Sequence, residues 1–141
     1  MLHVYRVDDA FNLLVVRPFI QNTDASGFFT VSVSGLAADT YDWRAKDPMY
    51  LANSGTIILT GSPRTNVEMG QMRVGDANND NVVNVFDFAI LRGTFAKHVG
   101  DPGYDDRADF NGDQVVNATD FSLLRGNFGV GGAPPIRPGE P

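Results

Sequence analysis

Residues 76–95 read DANNDNVVNVFDFAILRGTF. Residues 109–128, 33 positions later, read DFNGDQVVNATDFSLLRGNF, and 12 of the 20 aligned positions are identical. The shared positions are of two kinds. Asp76/Asp109, Asn78/Asn111, Asp80/Asp113, Asn84/Asn117 and Asp87/Asp120 place side-chain oxygens at offsets 0, 2, 4, 8 and 11. Val82/Val115, Val83/Val116, Phe88/Phe121, Leu91/Leu124 and Phe95/Phe128 are apolar, and Arg92/Arg125 and Gly93/Gly126 complete the set. Three carboxylates within twelve residues repel one another, so a loop that closes around them needs positive charge nearby. The chain poses that requirement twice.

Alternate oxygen donors in a short loop are how a chain wraps a hard cation, and calcium takes six to eight oxygen ligands. In the first loop the ligands would be Asp76, Asn78, Asp80, the Val82 carbonyl, Asn84 (directly or through a water) and Asp87. In the second they would be Asp109, Asn111, Asp113, the Val115 carbonyl, Asn117 and Asp120. Two Ca2+ are therefore expected. Magnesium fits less well, because it prefers a smaller octahedral shell rich in water. Zinc is disfavoured, because the loops offer neither His nor Cys. Both loops depart from the EF-hand pattern at the sixth position, where glycine usually makes a sharp turn; here stand Asn81 and Gln114. Asn adopts a left-handed backbone readily and Gln at more cost, so the second loop is expected to be the more strained and weaker one. The twelfth position is Asp rather than Glu, and its shorter arm demands a closer approach to the ion.

Each loop runs into a helical pattern. Phe88, Leu91 and Phe95, like Phe121, Leu124 and Phe128, recur at i, i+3 and i+7, an apolar stripe expected to pack the two helices together. Asp87 and Asp120 fall at the helix starts, where carboxylates are favoured. Gly93 and Gly126, late in each helix, suit either close helix approach or early termination.

Composition bounds the rest. A length of 141 residues suits one domain or two small ones. No run of about 18 apolar residues predicts a membrane span, and MLHVYRV lacks the basic-then-apolar pattern of a secretion leader. There is no cysteine, so disulfides and thiolate metal sites are excluded. The net charge of −6 argues against nucleic acid as a partner. Six of the 17 acidic residues sit in the two loops, and two divalent cations would bring −6 to −2.

Residues 1–74 read as β. LHVYRV (2–7), FNLLVVRPFI (11–20), FFTVSVSG (28–35), TYDWRAK (40–46), GTIILTG (55–61) and TNVEMGQMRV (65–74) are rich in Val, Ile, Thr and aromatics, with turn residues between them. This spacing predicts a small antiparallel sandwich. Within it, Thr23-Asp24-Ala25-Ser26-Gly27-Phe28-Phe29 and Gly35-Leu36-Ala37-Ala38-Asp39-Thr40-Tyr41 resemble the TD-x-x-G-x-F … GL-x-x-G-x-Y pattern of prealbumin-like, carboxypeptidase-regulatory and Cna-B-type sandwiches, with Asp39 where that family prefers Gly. The resemblance implies a spacer domain. Asp8, Asp9, Asp42, Asp47 and Glu68 lie singly or at turns and are expected to be solvated; His3 and His98 have no nucleophile beside them in any motif. Tyr41 and Trp43 share a strand face and suit a core or, less well, a sugar-stacking surface. Residues 131–141, GGAPPIRPGEP, predict a flexible tail.

The repeat itself resembles a dockerin. The GD-x-N-x-D-x-x-(I/V)-N-x-x-D-hydrophobic pattern of that family's two F-hand segments is met in full by the first repeat and, but for Ala108, by the second. The resemblance covers residues 75–130. It implies an all-α, calcium-folded, non-catalytic module that attaches a secreted or surface protein to a cohesin domain. The family's contact positions correspond here to Val85, Phe86, Ala89, Ile90, Arg92 and Gly93 in one repeat, and to Ala118, Thr119, Ser122, Leu123, Arg125 and Gly126 in the other. The usual Ser/Thr pair is only half present, at Thr119, so the two faces are expected to be unequal and the partner not a standard cellulosomal cohesin.

The reading is thus two domains: a β-sandwich spacer over residues 1–74, a dockerin-like module over 75–130, and a tail over 131–141. A monomer is expected before partner binding, outside the cell, as part of a larger secreted protein. Two alternatives differ in class. In one, the dockerin-like half packs on its own β domain as a calcium-stiffened end-cap, with Phe86 turned inward. In the other, residues 1–74 bind carbohydrate through Trp43.

Overall fold

A computed structural model describes residues 1–7 and 13–136. Asp8 and Asp9 lie outside the described residues. In chain order the elements are strands β1 (Leu2–Val7), β2 (Leu13–Phe19), β3 (Asp39–Ala45), β4 (Met49–Tyr50), β5 (Asn53–Leu59) and β6 (Val74–Asp76), helix α1 (Val85–Thr94), a 3-10 turn (Asp106–Ala108) and helix α2 (Ala118–Gly126). They divide into two compact units. The first is Met1–Ala45 with Asn53–Gly70; the second is Lys46–Ala52 with Gln71–Pro141.

The first unit is an antiparallel sheet of order β2-β1-β3-β5. Alternation puts Leu2 and Val4 of β1 and Tyr41, Trp43 and Ala45 of β3 on one buried face, joined by Leu59 of β5. Trp43 pairs with Val4 on one side and Gly55 on the other. Gly55 is required there: a Cβ would stand 2.8 Å from the indole Cζ2 of Trp43. Tyr41 and Trp43 are each 4 % exposed. They belong to the core and present no ring face to a sugar.

The second layer differs from expectation. Neither 28–35 nor 65–73 forms a ladder, and of those two runs only Val74 enters a strand. The alternation survives nonetheless. Phe29, Val31, Val33, Val67 and Met69 are half-buried against the sheet core, between exposed neighbours. In the first run the serines compete for the backbone: Ser34 N–H donates to the Ser32 hydroxyl at 3.4 Å, which itself reaches Ser34 Oγ at 3.1 Å. The 23–41 motif is built as turns. Asp24 Oδ1 accepts N–H groups of Ser26 and Phe28 at 2.8 and 3.0 Å, Gly27 takes φ +81°, and the Tyr41 hydroxyl donates to the Ala37 carbonyl at 3.2 Å. Asp39 opens β3 without a left-handed backbone, and its carboxylate accepts Thr40 N–H and pairs with Arg6.

In the second unit, Asn84 and Asn117 cap α1 and α2, and Asp87 and Asp120 return the bond to close a capping box on each helix. Leu91 and Leu124 are buried, and Phe88 and Phe121 stack tilted with ring centres 6.0 Å apart. The last member of each stripe is not buried: Phe95 is 47 % and Phe128 53 % exposed. The helices stop at Thr94 and Gly126, so both rings lie past the last turn, where helical spacing no longer aims them inward. A Cβ on Gly93 or Gly126 would meet nothing within 4 Å, so these glycines do not serve close helix approach.

The two repeats close on each other by exchange. The segment after α1 bonds the second loop, through Ala96 N–H to Val116 O, Val116 N–H to Lys97 O, and Val99 N–H to Gln114 O. The segment after α2 bonds the first loop in the same way, through Gly129 N–H to Val83 O, Val83 N–H to Val130 O, and Gly132 N–H to Asn81 O. Neither repeat completes its own backbone pairing, which is why the unit needs both. Gly131–Ala133, expected as the start of a free tail, are therefore tied down: Ala133 N–H also donates to Ala52 O. Residues 137–141 of that stretch lie outside the described residues. The core of this unit is Leu51, Ala77, Val83, Leu91, Ala108, Phe110, Val116 and Leu124.

Candidate functional site

The first loop begins at the end of β6. Asp76 is fully buried; its Oδ1 accepts Asp80 N–H at 2.9 Å and its Oδ2 accepts Asn81 N–H at 2.9 Å. Asn78 Oδ1 also accepts Asp80 N–H, and Asp80 Oδ1 accepts Val82 N–H at 2.9 Å. Asn84 Oδ1 caps α1 at Phe86 N–H, 2.8 Å away. Asp87, again fully buried, accepts Asn78 N–H at 3.1 Å and Asn84 N–H at 2.7 Å. The carboxylate at the twelfth position thus staples the third and ninth positions of its own loop. Asn79 and Asn81 make the turns at φ 63° and 68°.

The second loop repeats the pattern and adds two bonds, Gly112 N–H to Asp109 Oδ1 at 2.9 Å and Phe110 N–H to Asp120 Oδ1 at 2.8 Å. Asp109 Oδ1 accepts Asp113 N–H at 3.1 Å and Oδ2 accepts Gln114 N–H at 2.8 Å. Asp113 Oδ1 accepts Val115 N–H, and Asn117 Oδ1 caps α2 at Thr119 N–H. Asp120 accepts N–H groups of Phe110, Asn111 and Asn117. Gly112 and Gln114 make the turns at φ 71° and 72°. The sixth position of each loop, Asn81 and Gln114, thus takes nearly the same left-handed backbone.

These bonds aim the carboxylates at backbone N–H groups. Among the described residues no three His, Cys, Asp or Glu side chains gather into a ready-made ligand cluster. The donor set still fits a hard cation. Each loop offers carboxylate, carboxamide and carbonyl oxygens and no nitrogen or sulfur ligand. Asp87, Asp109 and Asp120 are buried, yet among the described residues none of them has a salt bridge. Burial pushes the Asp87 carboxyl above its usual range, against the pull of the Asn84 and Asn78 amides, and nearby Asp76 and Asp80 push it further. A buried carboxylate in that position is stabilised by a cation.

Two residues that sequence reasoning missed complete the loops from outside. Lys46, from the connection between β3 and β4, donates to Asp76 Oδ2 at 3.1 Å, to Asn79 Oδ1 and to the Asp47 carbonyl at 3.0 Å. In the second loop the matching oxygen, Asp109 Oδ2, accepts the Tyr104 hydroxyl at 2.9 Å. Burial, then Asp109, holds the Tyr104 phenol up at about 12. Tyr104 lies five residues before its partner and was within reach of local pattern reading. Lys46 lies 30 residues before Asp76 and leaves no such signal.

Asn81 also does more than turn the chain. Its Oδ1 accepts Ala52 N–H at 2.8 Å and its Nδ2 donates to Ala133 O at 2.8 Å. One side chain joins the 46–52 segment, the first loop and the segment after α2.

The expected contact positions are distributed unevenly. Val85 and Phe86 are 59 % and 66 % exposed at the start of α1. Ala89, Arg92, Ala118, Thr119, Ser122 and Arg125 are exposed, as are Gly93 and Gly126. Ile90 and Leu123 are half-buried against the core. Phe86 does not turn inward. The apolar surface at the loop exit belongs to the first repeat; its counterpart is Ala118-Thr119.

Residues 74–128 match the family model described as Dockerin type I domain. None of the curated proteins compared matches the chain. Among solved structures, the chain resembles two interface mutants of a type II cohesin–X-dockerin complex from Acetivibrio cellulolyticus. One has a TM-score of 0.60 at 22 % identity and the other 0.58 at 19 %; each match covers 92 % of this chain and 81 % of that one. A type II cohesin-dockerin domain structure from Bacteroides cellolosolvens matches at 31 % identity over 48 % of this chain and 100 % of that one, with a TM-score of 0.37. The first two likenesses show a shared fold. Among the described residues no helix is long and apolar enough to cross a membrane.

Proposed function

We propose, from the match of residues 74–128 to the dockerin family model, that this module is a dockerin and binds a cohesin domain of another protein in a calcium-dependent way. In this reading the repeats are a pair of F-hands. Each holds one Ca2+ through its three Asp, two Asn and a valine carbonyl: Val82 in the first loop, Val115 in the second. The calcium module spans residues 75–130, and residues 1–74 are a prealbumin-like spacer. The chain does no chemistry of its own. It joins the protein that carries it to an assembly outside the cell or on its surface.

The observation that carries the reading is one of juxtaposition. Asp87, buried and without a salt bridge among the described residues, stands in the first turn of a helix whose first two residues, Val85 and Phe86, are large, apolar and exposed. Bound calcium would supply the positive charge that Asp87, Asp109 and Asp120 lack. The chain's own part is to hold the loop closed through Asp87 and the Asn84 cap, and so to fix α1 and the Val85–Phe86 pair in one orientation. Exposed clustered apolar side chains at such a site mark a surface that another protein covers. The cohesin complexes named for the solved relatives agree with that partner class.

The test is binding of the full chain to immobilised type I and type II cohesin domains, in calcium and in chelator. Binding should occur in calcium only and weaken by about tenfold or more in Phe86→Asp, as for an apolar hot spot. Equal binding in chelator would refute the calcium dependence. Failure of every cohesin to bind would refute the partner.

A further inference from the structure

We infer that Lys46 is a tethered counter-cation that tunes the first calcium loop. This rests on the calcium reading above. The two loops share most of their bonds, and they differ in the donor that reaches the first aspartate from outside the loop. The outer oxygen of the first-position aspartate accepts the sixth-position N–H in both, and then one further donor: an ammonium in the first loop, a neutral phenol in the second. Lys46 is held for that place. Its side chain is 7 % exposed, and its ammonium also donates to Asn79 Oδ1 and Asp47 O. Lys46 begins the 46–52 segment, which pairs with β6 through Met49 and Asp76 and ends at Ala52 on the Asn81 side chain. Both ends of the segment are thus fastened to the first loop.

A buried ammonium on Asp76 acts in two directions. It offsets the mutual repulsion of Asp76, Asp80 and Asp87, so the first loop keeps its shape without relying wholly on metal. It also stands one carboxylate away from where the ion must sit, and a unit charge repels a double one. Lys46 therefore lowers the calcium affinity of the first loop and raises its metal-free stability. The second loop has the neutral Tyr104 instead and lacks both effects. Strain at Gln114 is a separate matter, since it belongs to the backbone of the second loop and does not involve Lys46.

The test is a Ca2+ titration of the full chain, following the amide resonances of Val82 and Val115, which report the loops separately. Lys46→Met should tighten the dissociation constant at the first loop by roughly tenfold, from a screened repulsion of this size, and leave the second within about twofold. Lys46→Gln, which keeps hydrogen bonding without charge, should do the same. Lys46→Arg should stay at wild type. In chelator, Lys46→Met should melt below wild type and Lys46→Arg should not. Unchanged or weakened first-loop affinity in both neutral variants overturns the proposal while leaving the calcium reading intact. If neither Val82 nor Val115 responds to Ca2+ in the wild type, the calcium reading fails and the proposal falls with it.

Discussion

The sixth loop position should respond with opposite signs in the two repeats. Asn81 and Gln114 have nearly the same backbone, at φ 68° and 72°. Glycine relieves that conformation in both, by up to about 1–2 kcal/mol for an ordinary residue and less for Asn. It costs about 0.5–1 kcal/mol in added freedom of the unfolded chain. For the exposed Gln114, whose side chain makes no hydrogen bond among the described residues, the balance lies between zero and about 1 kcal/mol of stabilisation. For Asn81 two further losses enter. Both 2.8 Å side-chain bonds vanish: the one to Ala133 O is worth about 1 kcal/mol, and loss of the other leaves the buried Ala52 N–H without its acceptor, at about 1–3 kcal/mol. Asn81→Gly should therefore destabilise the second unit by about 2–4 kcal/mol, lowering its melting temperature by about 10 °C or more. Chemical and thermal unfolding, in calcium and in chelator, measure both variants. If Asn81→Gly is as stable as wild type, or Gln114→Gly loses as much as Asn81→Gly, then the clasp around Asn81 does not hold the unit together.

Gly132→Ala would drive a Cβ into the Asn81 carboxamide and the Ala52 amide, so it should cost about as much as Asn81→Gly. A double-mutant cycle should find the two strongly non-additive, because both break one clasp. Gly55→Ala must displace the Trp43 indole and should destabilise the first unit by about 1–3 kcal/mol. As the chain has a single tryptophan, a red shift of its fluorescence reads the displacement directly. In chelator, carbon-detected NMR should find the Asp87 carboxyl titrating above ordinary carboxylates. Its folded pKa lies above its unfolded one, so its contribution favours folding at acid pH and is lost as pH rises through the folded value. Calcium should move that titration down, because the ion binds the ionised form; no downward movement would refute Asp87 as a ligand.

Much of the second unit is local, and local order is what a sequence displays. Asx turns, capping boxes and left-handed turn residues are set by neighbours within twelve positions, so Asp76 to Asp87 and Asp109 to Asp120 could be read off the duplicated string. The alternation of Val31 and Val33 with Ser32 and Ser34 likewise foretold which face is buried. It could not foretell the missing ladder, because a ladder depends on a backbone partner that side-chain pattern does not specify. The stripes failed only at Phe95 and Phe128, where the helices had already ended.

What tertiary structure decided is everything that joins residues far apart in the chain. The duplicated loops look equivalent as strings, but each is closed by the segment following the other repeat's helix. They are further distinguished by what reaches their first aspartate, Lys46 from 30 residues upstream or Tyr104 from five. Identical local chemistry fixes two identical frames. The charge beside Asp76, the bonds to Asn81 and the exposure of Phe86 come from packing, and they make the two frames different.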